Sequence, residues 1–117
     1  MSKLRLTLAV ADYDRTKAIF QGRVPIEGVD LVPLAVGAEE CFHRAFKFQE
    51  FDICELSLSS HTATVSRGEH HYIGIPAFVS RVFRHSGIYI RTDRGIRSPQ
   101  DLRGKKVNFG PAGAGSS

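Results

Sequence analysis

The residues from 76 to 86 form the stretch of this chain with the most groups that could bind a charged ligand. Its aromatic, hydroxyl and basic members are Phe78, Ser80, Arg81, Arg84 and His85. An arginine guanidinium is a planar fork that pairs with both oxygens of a carboxylate, and apolar walls strengthen such a pair by excluding water. The stretch therefore predicts a pocket for an anionic, aromatic small molecule. The alternative is a basic surface strand with its apolar residues buried, and the residue types favour neither.

A second group of polar residues follows the strand predicted at residues 51–56. Glu55 lies near the end of this strand, and Ser57 and Ser59 precede a helix that we expect to continue to Arg67. The amino terminus of a helix offers unpaired N–H groups, so with serine hydroxyls beside it the position suits an anion. Glu55 could hold an arginine, bind a substrate hydroxyl or carry a proton. The alternative is a carboxylate that is exposed or held in a salt bridge.

A third group comes after the first predicted strand, residues 4–10, where apolar residues alternate with polar or small ones. Tyr13 and Arg15 lie in the loop after this strand, and Asp12 or Asp14 would cap the short helix that follows. Loops at the carboxyl ends of strands bind ligands in α/β folds, so Tyr13 and Arg15 are candidates for substrate binding. The alternative is a capped helix with a solvated arginine.

The rest of the pattern describes the elements that would position these groups. Residues 29–36 predict a second, buried strand, and the helix after Gly37 has an apolar stripe at a spacing of three and four residues. Alternating residues predict further strands at 72–75, 87–91 and 106–109. Strands that alternate with helices predict an α/β fold whose sheet is mostly parallel and flanked by helices.

The composition indicates one globular domain that prefers anionic partners. The 117 residues carry a formal net charge of +4, and the basic residues are dispersed along the chain. We find no helix-turn-helix or RNA-binding signature and therefore expect no nucleic-acid partner. We also find no signal-peptide pattern and no apolar run long enough for a membrane span, which favours a cytoplasmic location. Cys41 and Cys54 predict free thiols, no metal-ligand spacing is present, and the sequence requires no cofactor.

Seven segments of the chain follow one another in an order that resembles a known family. They are YDRT at 13–16, GRV at 22–24, IEGVDL at 26–31, EFDI at 50–53, ELSLSS at 55–60, IPAFVSRVFRHS at 75–86 and SPQDLRGKKV at 98–107. Together they resemble the N-terminal part of the 4,5-dihydroxyphthalate decarboxylase family, whose members look like type II periplasmic solute-binding proteins. The resemblance implies that residues 1–109 form the first lobe of a two-lobed fold. Residues 110–117 would be a glycine-rich tail or a truncated loop.

The resemblance also implies a reaction and roles for the candidate residues. The substrate would be a hydroxylated aromatic dicarboxylate, which loses carbon dioxide when a proton reaches the ring carbon that carries the carboxylate. Arg81 and Arg84 would clamp the carboxylates, with Arg15 as a further candidate. Glu55 or His85 would be the acid or the partner of a ring hydroxyl. The residues that would orient oxygens or stack on the ring are Ser57, Ser59, Ser80 and Phe78.

Two other functions stay open from the sequence. A non-catalytic receptor for a small anion, of the transporter or sensor type, would use the same arginines and would need no acid. The segment NFGPAGAG at 108–115 is more similar to the ligand-facing loop of transport-type receptors than to the decarboxylases. An inactive fragment is the third reading, because half a cleft binds weakly. The chain could also form a homo-oligomer.

Overall fold

A parallel three-stranded sheet lies at the centre of the computed structural model, which describes residues 2–69, 71–83 and 88–107. The strands are β1 (Leu4–Val10), β2 (Val29–Ala35) and β3 (Ile53–Cys54), in the spatial order β2-β1-β3. β1 pairs with β2 over its full length and with β3 at Leu8 and Ala9. The α/β class and the parallel sheet predicted from the sequence are confirmed.

Three helices connect and flank these strands. They are α1 (Lys17–Phe20), α2 (Ala38–Phe48) and α3 (Leu58–Ser66), and two short 3-10 helices follow at Thr92–Arg94 and Pro99–Leu102. A parallel pair of strands needs a crossover connection, which explains why helical segments separate β1 from β2 and β2 from β3. The helices predicted after Gly37 and after Ser57 are confirmed.

The core forms where α2 packs against β1. Its fully buried members are Ala9, Cys41 and Ala45, and Phe42 and Phe51 lie beside them. These residues of α2 belong to the apolar stripe predicted from the sequence, which is therefore confirmed as core. The helix ends at Phe48, and its C-cap residue Gln49 has a left-handed φ of 50°, which turns the chain towards β3.

Cys41 and Cys54 are free thiols in contact with each other inside this core. The Cys41 thiol donates to the carbonyl oxygen of Glu55 at 3.5 Å and to that of Ala9 at 3.6 Å. The hydrogen bond to Cys54, followed by burial, raises the pKa of Cys41, whereas the bond from Cys41 lowers the pKa of Cys54. The prediction of free thiols is confirmed, and the pair packs α2 onto β3.

The strands predicted beyond α3 are not formed in the part of the chain that the structure describes. Residues 72–75 have no strand partner, and the same holds for residues 88–91 and 106–107. A strand needs neighbours that complete its hydrogen-bond ladder, and these runs have none among the described residues. β3 is shorter than the predicted run at 51–56, since it pairs only at an edge of the sheet. The ends of the predicted runs, Gly87 and residues 108–109, lie outside the described residues, as does the tail at 110–117.

The start of α1 corrects another prediction. Neither Asp12 nor Asp14 caps this helix; Thr16 occupies the N-cap position, and its side chain does not bond to a helix amide. The reason is that the Thr16 hydroxyl turns back towards the preceding loop. By contrast, Ser98 and Asp101 form a capping box at the start of the second 3-10 helix.

Candidate functional site

The loop after β1 meets Glu55, the residue after β3, at the carboxyl edge of the sheet. β1 and β3 are adjacent and parallel, so their carboxyl ends reach the same edge. The Tyr13 hydroxyl donates to Oε1 of Glu55 at 2.9 Å, and the Ala11 amide donates to Oε2 at 3.2 Å. Glu55 is only 8% exposed, so both bonds go to a carboxyl group that is nearly removed from water. The interpretation of Glu55 as an exposed residue is therefore wrong.

Arg15 lies across the Tyr13 ring and ties the loop to a later part of the chain. Its guanidinium carbon is 4.1 Å from the ring centroid, a cation–π distance. Its Nε donates to the carbonyl oxygen of Val79. The side chain of Ser80 hydrogen-bonds to Tyr13. Candidates from three separate stretches thus come together, and we call Tyr13, Arg15, Glu55 and Ser80 the Tyr13–Glu55 cluster.

The electrostatics of this cluster keep the Tyr13 phenol protonated. Burial is the largest effect that raises the pKa of Tyr13, and the hydrogen bond to Glu55 and the charge of Glu55 add to it. The hydrogen bond with Ser80 and the charge of Arg15 lower the same pKa by smaller amounts. At neutral pH the phenol is therefore a hydrogen-bond donor, with Glu55 as its acceptor.

The amino terminus of α3 follows Glu55 by two residues. Oγ of Ser57, the N-cap residue, accepts the Ser60 amide at 3.4 Å and lies 3.0 Å from Oγ of Ser59. The helix dipole and the unpaired N–H groups at this end favour negative charge. The predicted place of both serines at a helix start beside Glu55 is confirmed. Their role in substrate binding stays a prediction.

Phe78 and Arg81 lie on the same stretch as Ser80 but make different contacts. Phe78 is 60% exposed, and the guanidinium carbon of Arg81 is 5.7 Å from its ring centroid. Arg81 also lines a cavity of about 370 Å³ together with Val82 and Phe83. Within the described ranges, no hydrogen bond or ion pair joins Arg81 to the Tyr13–Glu55 cluster.

Arg84 and His85 lie outside the described residues. The predicted roles of Arg84 as a carboxylate clamp and of His85 as an acid therefore stay predictions. Of the arginines predicted to bind the substrate, Arg15 is the one that the structure brings into the cluster.

A larger groove, of about 570 Å³, lies between α2 and α3. Phe42 and Phe46 contribute its apolar surface, and His43, Lys47 and Arg67 contribute polar groups. No member of the Tyr13–Glu55 cluster lines this groove. No sequence pattern predicts this groove, because it arises from the packing of two helices that are separated along the chain.

Two residues that hold the cluster together were not singled out from the sequence. The Thr16 hydroxyl donates to the Ala11 carbonyl oxygen at 2.9 Å and accepts the Tyr13 amide at 3.0 Å. A threonine just after a short acidic loop is a known side-chain-to-backbone turn signal and could have identified Thr16. Val79 acts through its backbone carbonyl, for which the sequence contains no signal.

The described residues contain neither a cluster of metal ligands nor a membrane-spanning helix. Within residues 2–69, 71–83 and 88–107, no three His, Cys, Asp or Glu side chains are grouped as a metal site requires. In the same ranges, no helix has the length and apolar character needed to cross a bilayer.

Two curated proteins are similar to nearly the whole chain. A 4,5-dihydroxyphthalate decarboxylase from Comamonas testosteroni is 51% identical over 107 residues. The resemblance to the decarboxylases is confirmed. A 4,5-dihydroxyphthalate decarboxylase from Pseudomonas putida is 49% identical over 107 residues. Both alignments cover 92% of this chain, but the chain spans only 32% of the first relative and 42% of the second. No family model matches the sequence.

Proposed function

We propose that this chain takes part in the decarboxylation of a hydroxylated aromatic dicarboxylate such as 4,5-dihydroxyphthalate. The observation that carries the proposal is its 51% identity, over 107 residues, to a 4,5-dihydroxyphthalate decarboxylase. The Tyr13–Glu55 cluster supports it, because the cluster combines a carboxyl group, a phenol and a guanidinium at the edge of the sheet where α/β folds bind ligands.

The reaction determines which groups the site needs. Loss of carbon dioxide breaks the bond between the ring carbon and the carboxylate carbon, and the electron pair stays on the ring. A proton then has to reach that ring carbon, and a para hydroxyl supplies electron density there. The site therefore needs a cation for the carboxylates, an acid, and a partner for the ring hydroxyls.

We assign the binding of a carboxylate to Arg15, and we assign to Glu55 the role of the acid or of the partner of a ring hydroxyl. Nε of Arg15 is bound to Val79, and the two terminal nitrogens of its fork would bind the substrate carboxylate. Each oxygen of Glu55 accepts one hydrogen bond from the protein and retains a lone pair for a ring hydroxyl or a proton. The Tyr13 hydroxyl donates one of these two hydrogen bonds and so holds the Glu55 carboxyl group in place.

The remaining candidates form the outer part of the proposed site. Ser57 and Ser59 add hydroxyls beside Glu55, and Ser80 bonds to Tyr13. Phe78 would stack on the substrate ring, and Arg81 would bind the second carboxylate. These two assignments rest on the resemblance to the decarboxylases.

We also propose that the chain binds anions and forms the first lobe of a solute-binding-protein-like fold. Anion binding by the first lobe of a solute-binding-protein-like fold is supported by the net charge of +4 and by the serine-capped start of α3. The cytoplasmic location and the homo-oligomer stay predictions.

The experiment that tests the function measures carbon dioxide released from 4,5-dihydroxyphthalate by the purified chain. Glu55→Gln should lower the rate by about 100-fold or more, as loss of a general acid or base typically does. Glu50→Gln is the matched control, because Glu50 is paired with Arg44 and is not part of the cluster; its rate should equal that of the wild type. Tight binding without release would favour the receptor, and neither binding nor release would reject the function for this chain.

A further inference from the structure

We infer that Thr16 is a positioning residue of this site. Its hydroxyl fixes the loop at residues 11–16 so that the Ala11 amide and the Tyr13 hydroxyl both reach Glu55. The inference deepens the proposed function and rests on it for the role of Glu55, whereas its geometric part concerns only the loop.

The hydrogen bonds of Thr16 and Glu55 form one closed network. The Thr16 hydroxyl donates towards the carbonyl oxygens of Ala11, at 2.9 Å, and Tyr13, at 3.0 Å, and it accepts the Tyr13 amide at 3.0 Å. The same two residues, Ala11 and Tyr13, supply the two donors to Glu55. The hydroxyl of Thr16 and the carboxyl group of Glu55 thus bind the two ends of one short loop segment.

The position of Thr16 in α1 does not explain this network. A threonine at an N-cap usually accepts a hydrogen bond from an amide of its own helix. Thr16 makes no such bond, and α1 has only four residues, none of them buried. Thr16 itself is only 4% exposed. The hydrogen bonds of its buried hydroxyl therefore stabilise the preceding loop, and none of them is made to an amide of the helix.

Loss of the hydroxyl should release the loop from Glu55. Thr16→Val keeps the shape and volume of the side chain but removes every hydrogen bond made by Oγ1. The loop then keeps the backbone bond from the Tyr13 amide to the Ala11 carbonyl oxygen but loses every bond to Oγ1. The Tyr13 hydroxyl is therefore held less firmly at Glu55. Thr16→Ser keeps the hydroxyl and is the conservative control.

The test is an ultraviolet titration of the tyrosines in the purified chain. The chain has three tyrosines, so the difference between the wild type and Tyr13→Phe identifies the titration of Tyr13. Burial is the largest effect on the pKa of Tyr13, and Glu55, Ser80 and Arg15 are the groups that modify it further. We expect Thr16→Val to lower the pKa of Tyr13 towards its usual value and to lower turnover by about tenfold or more. Thr16→Ser should keep both wild-type values. An unchanged Tyr13 titration in Thr16→Val would overturn the inference.

The two claims fail in different ways. A shifted Tyr13 titration with an unchanged rate of carbon dioxide release would support the positioning of Tyr13 by Thr16 and would count against the role of the Tyr13–Glu55 cluster in the reaction. Absence of carbon dioxide release by the wild type would reject the proposed function and would leave the positioning by Thr16 untouched. If Thr16→Val does not fold, exchange of the Thr16 hydroxyl proton in the wild type, measured by NMR, decides the matter. A hydroxyl proton protected from exchange supports its bonds to the loop, and exchange at the rate of a free hydroxyl overturns the inference.

Discussion

Residues 2–69 and the described residues after them carry similar alternating patterns and yet fold differently. The first region forms the sheet, the three helices and the buried core. In residues 71–83 and 88–107 the regular structure consists of two short 3-10 helices, and Ile73 and Tyr89 are each 91% exposed. We call residues 2–69 the layered region, and we call residues 71–83 and 88–107 the extended region.

This difference shows that an alternating sequence determines which side chains share a face. A strand forms only where a neighbouring strand is present to pair with it. β1 has partners along both of its edges, which complete its ladder. Residues 72–75 alternate in the same way but are attached to the layered region through the Tyr72 hydroxyl, which donates to the Phe51 carbonyl at 3.0 Å. Apolar residues are buried only where a second layer covers them, so a strand pattern without that layer stays exposed.

The candidate site joins the two regions. Tyr13, Arg15 and Glu55 belong to the layered region, where the sheet fixes their backbones. Val79 and Ser80 belong to the extended region and bind Arg15 and Tyr13. The layered region therefore fixes the carboxyl group, and the extended region adds an outer wall to it.

The largest difference between the regions should appear when an aromatic side chain is truncated in each. Phe42→Ala removes a side chain that is 9% exposed, so it should lower the free energy of unfolding by about 3 kcal/mol or more. Phe78→Ala, at a residue that is 60% exposed, should change it by less than about 0.5 kcal/mol. Urea denaturation of both variants measures the two changes. Equal losses would show that the extended region has a packed core of its own.

A smaller effect is expected for the hydroxyl that links Tyr13 to Glu55. Tyr13→Phe removes a hydrogen bond of 2.9 Å and should lower the free energy of unfolding by about 1 kcal/mol. Tyr89→Phe is the matched control in the extended region, because Tyr89 is 91% exposed, and it should leave stability unchanged. The midpoints of urea denaturation provide the comparison, with the dependence of the unfolding free energy on urea concentration held the same for all variants. A destabilised Tyr89→Phe would contradict the description of its region.

Alkaline pH should weaken the contact between the regions that Tyr72 makes. Burial is the main cause that raises the pKa of Tyr72 to about 12, and the charge of Cys54 adds to it. The folded protein therefore holds this proton more tightly than the unfolded chain, whose tyrosines titrate near about pH 10. The contribution to stability is complete below about pH 10 and is lost as the pH rises to about 12.

The measurement is the free energy of unfolding across that pH window for the wild type, Tyr72→Phe and Tyr89→Phe. The wild type and Tyr89→Phe should both lose stability as the pH rises. Tyr72→Phe should lose less than either of them. If the free energy of unfolding depends on pH in the same way in all three proteins, the ionisation of Tyr72 is not coupled to folding.

The smallest effect is expected for the exposed ion pair between Arg91 and Asp93. The two side chains are 69% and 60% exposed, and water and salt screen such a pair. Arg91→Ala should leave the midpoint of thermal unfolding unchanged within error. A clear fall in that midpoint would mean that the extended region depends on this pair.

The sequence predicted the layered region well because each of its elements has a local signal. The alternation of β1, the apolar stripe of α2 and the serines before α3 all describe elements that the structure contains. The carboxyl ends of parallel strands lie at the same edge of a sheet. Glu55 could therefore be predicted to lie near the loop that contains Tyr13 and Arg15.

Other features could not be predicted, because they depend on contacts between distant residues. The bond from Arg15 to Val79 uses a backbone carbonyl, and the groove between α2 and α3 depends on helix packing. The strand predicted at 72–75 failed since its local pattern contained no information about a partner. Thr16 was overlooked because the cap of α1 was predicted at Asp12 or Asp14, so the turn signal of the threonine that follows them was missed.

The most direct test of the central claim is the location of the ligand on the chain. Titration of the isotope-labelled chain with 4,5-dihydroxyphthalate, followed by amide chemical shifts, reports that location. We predict the largest shifts at residues 11–16, 55–60 and 79–81, around the Tyr13–Glu55 cluster. Shifts confined to the groove between α2 and α3, with the cluster unchanged, would contradict the claim.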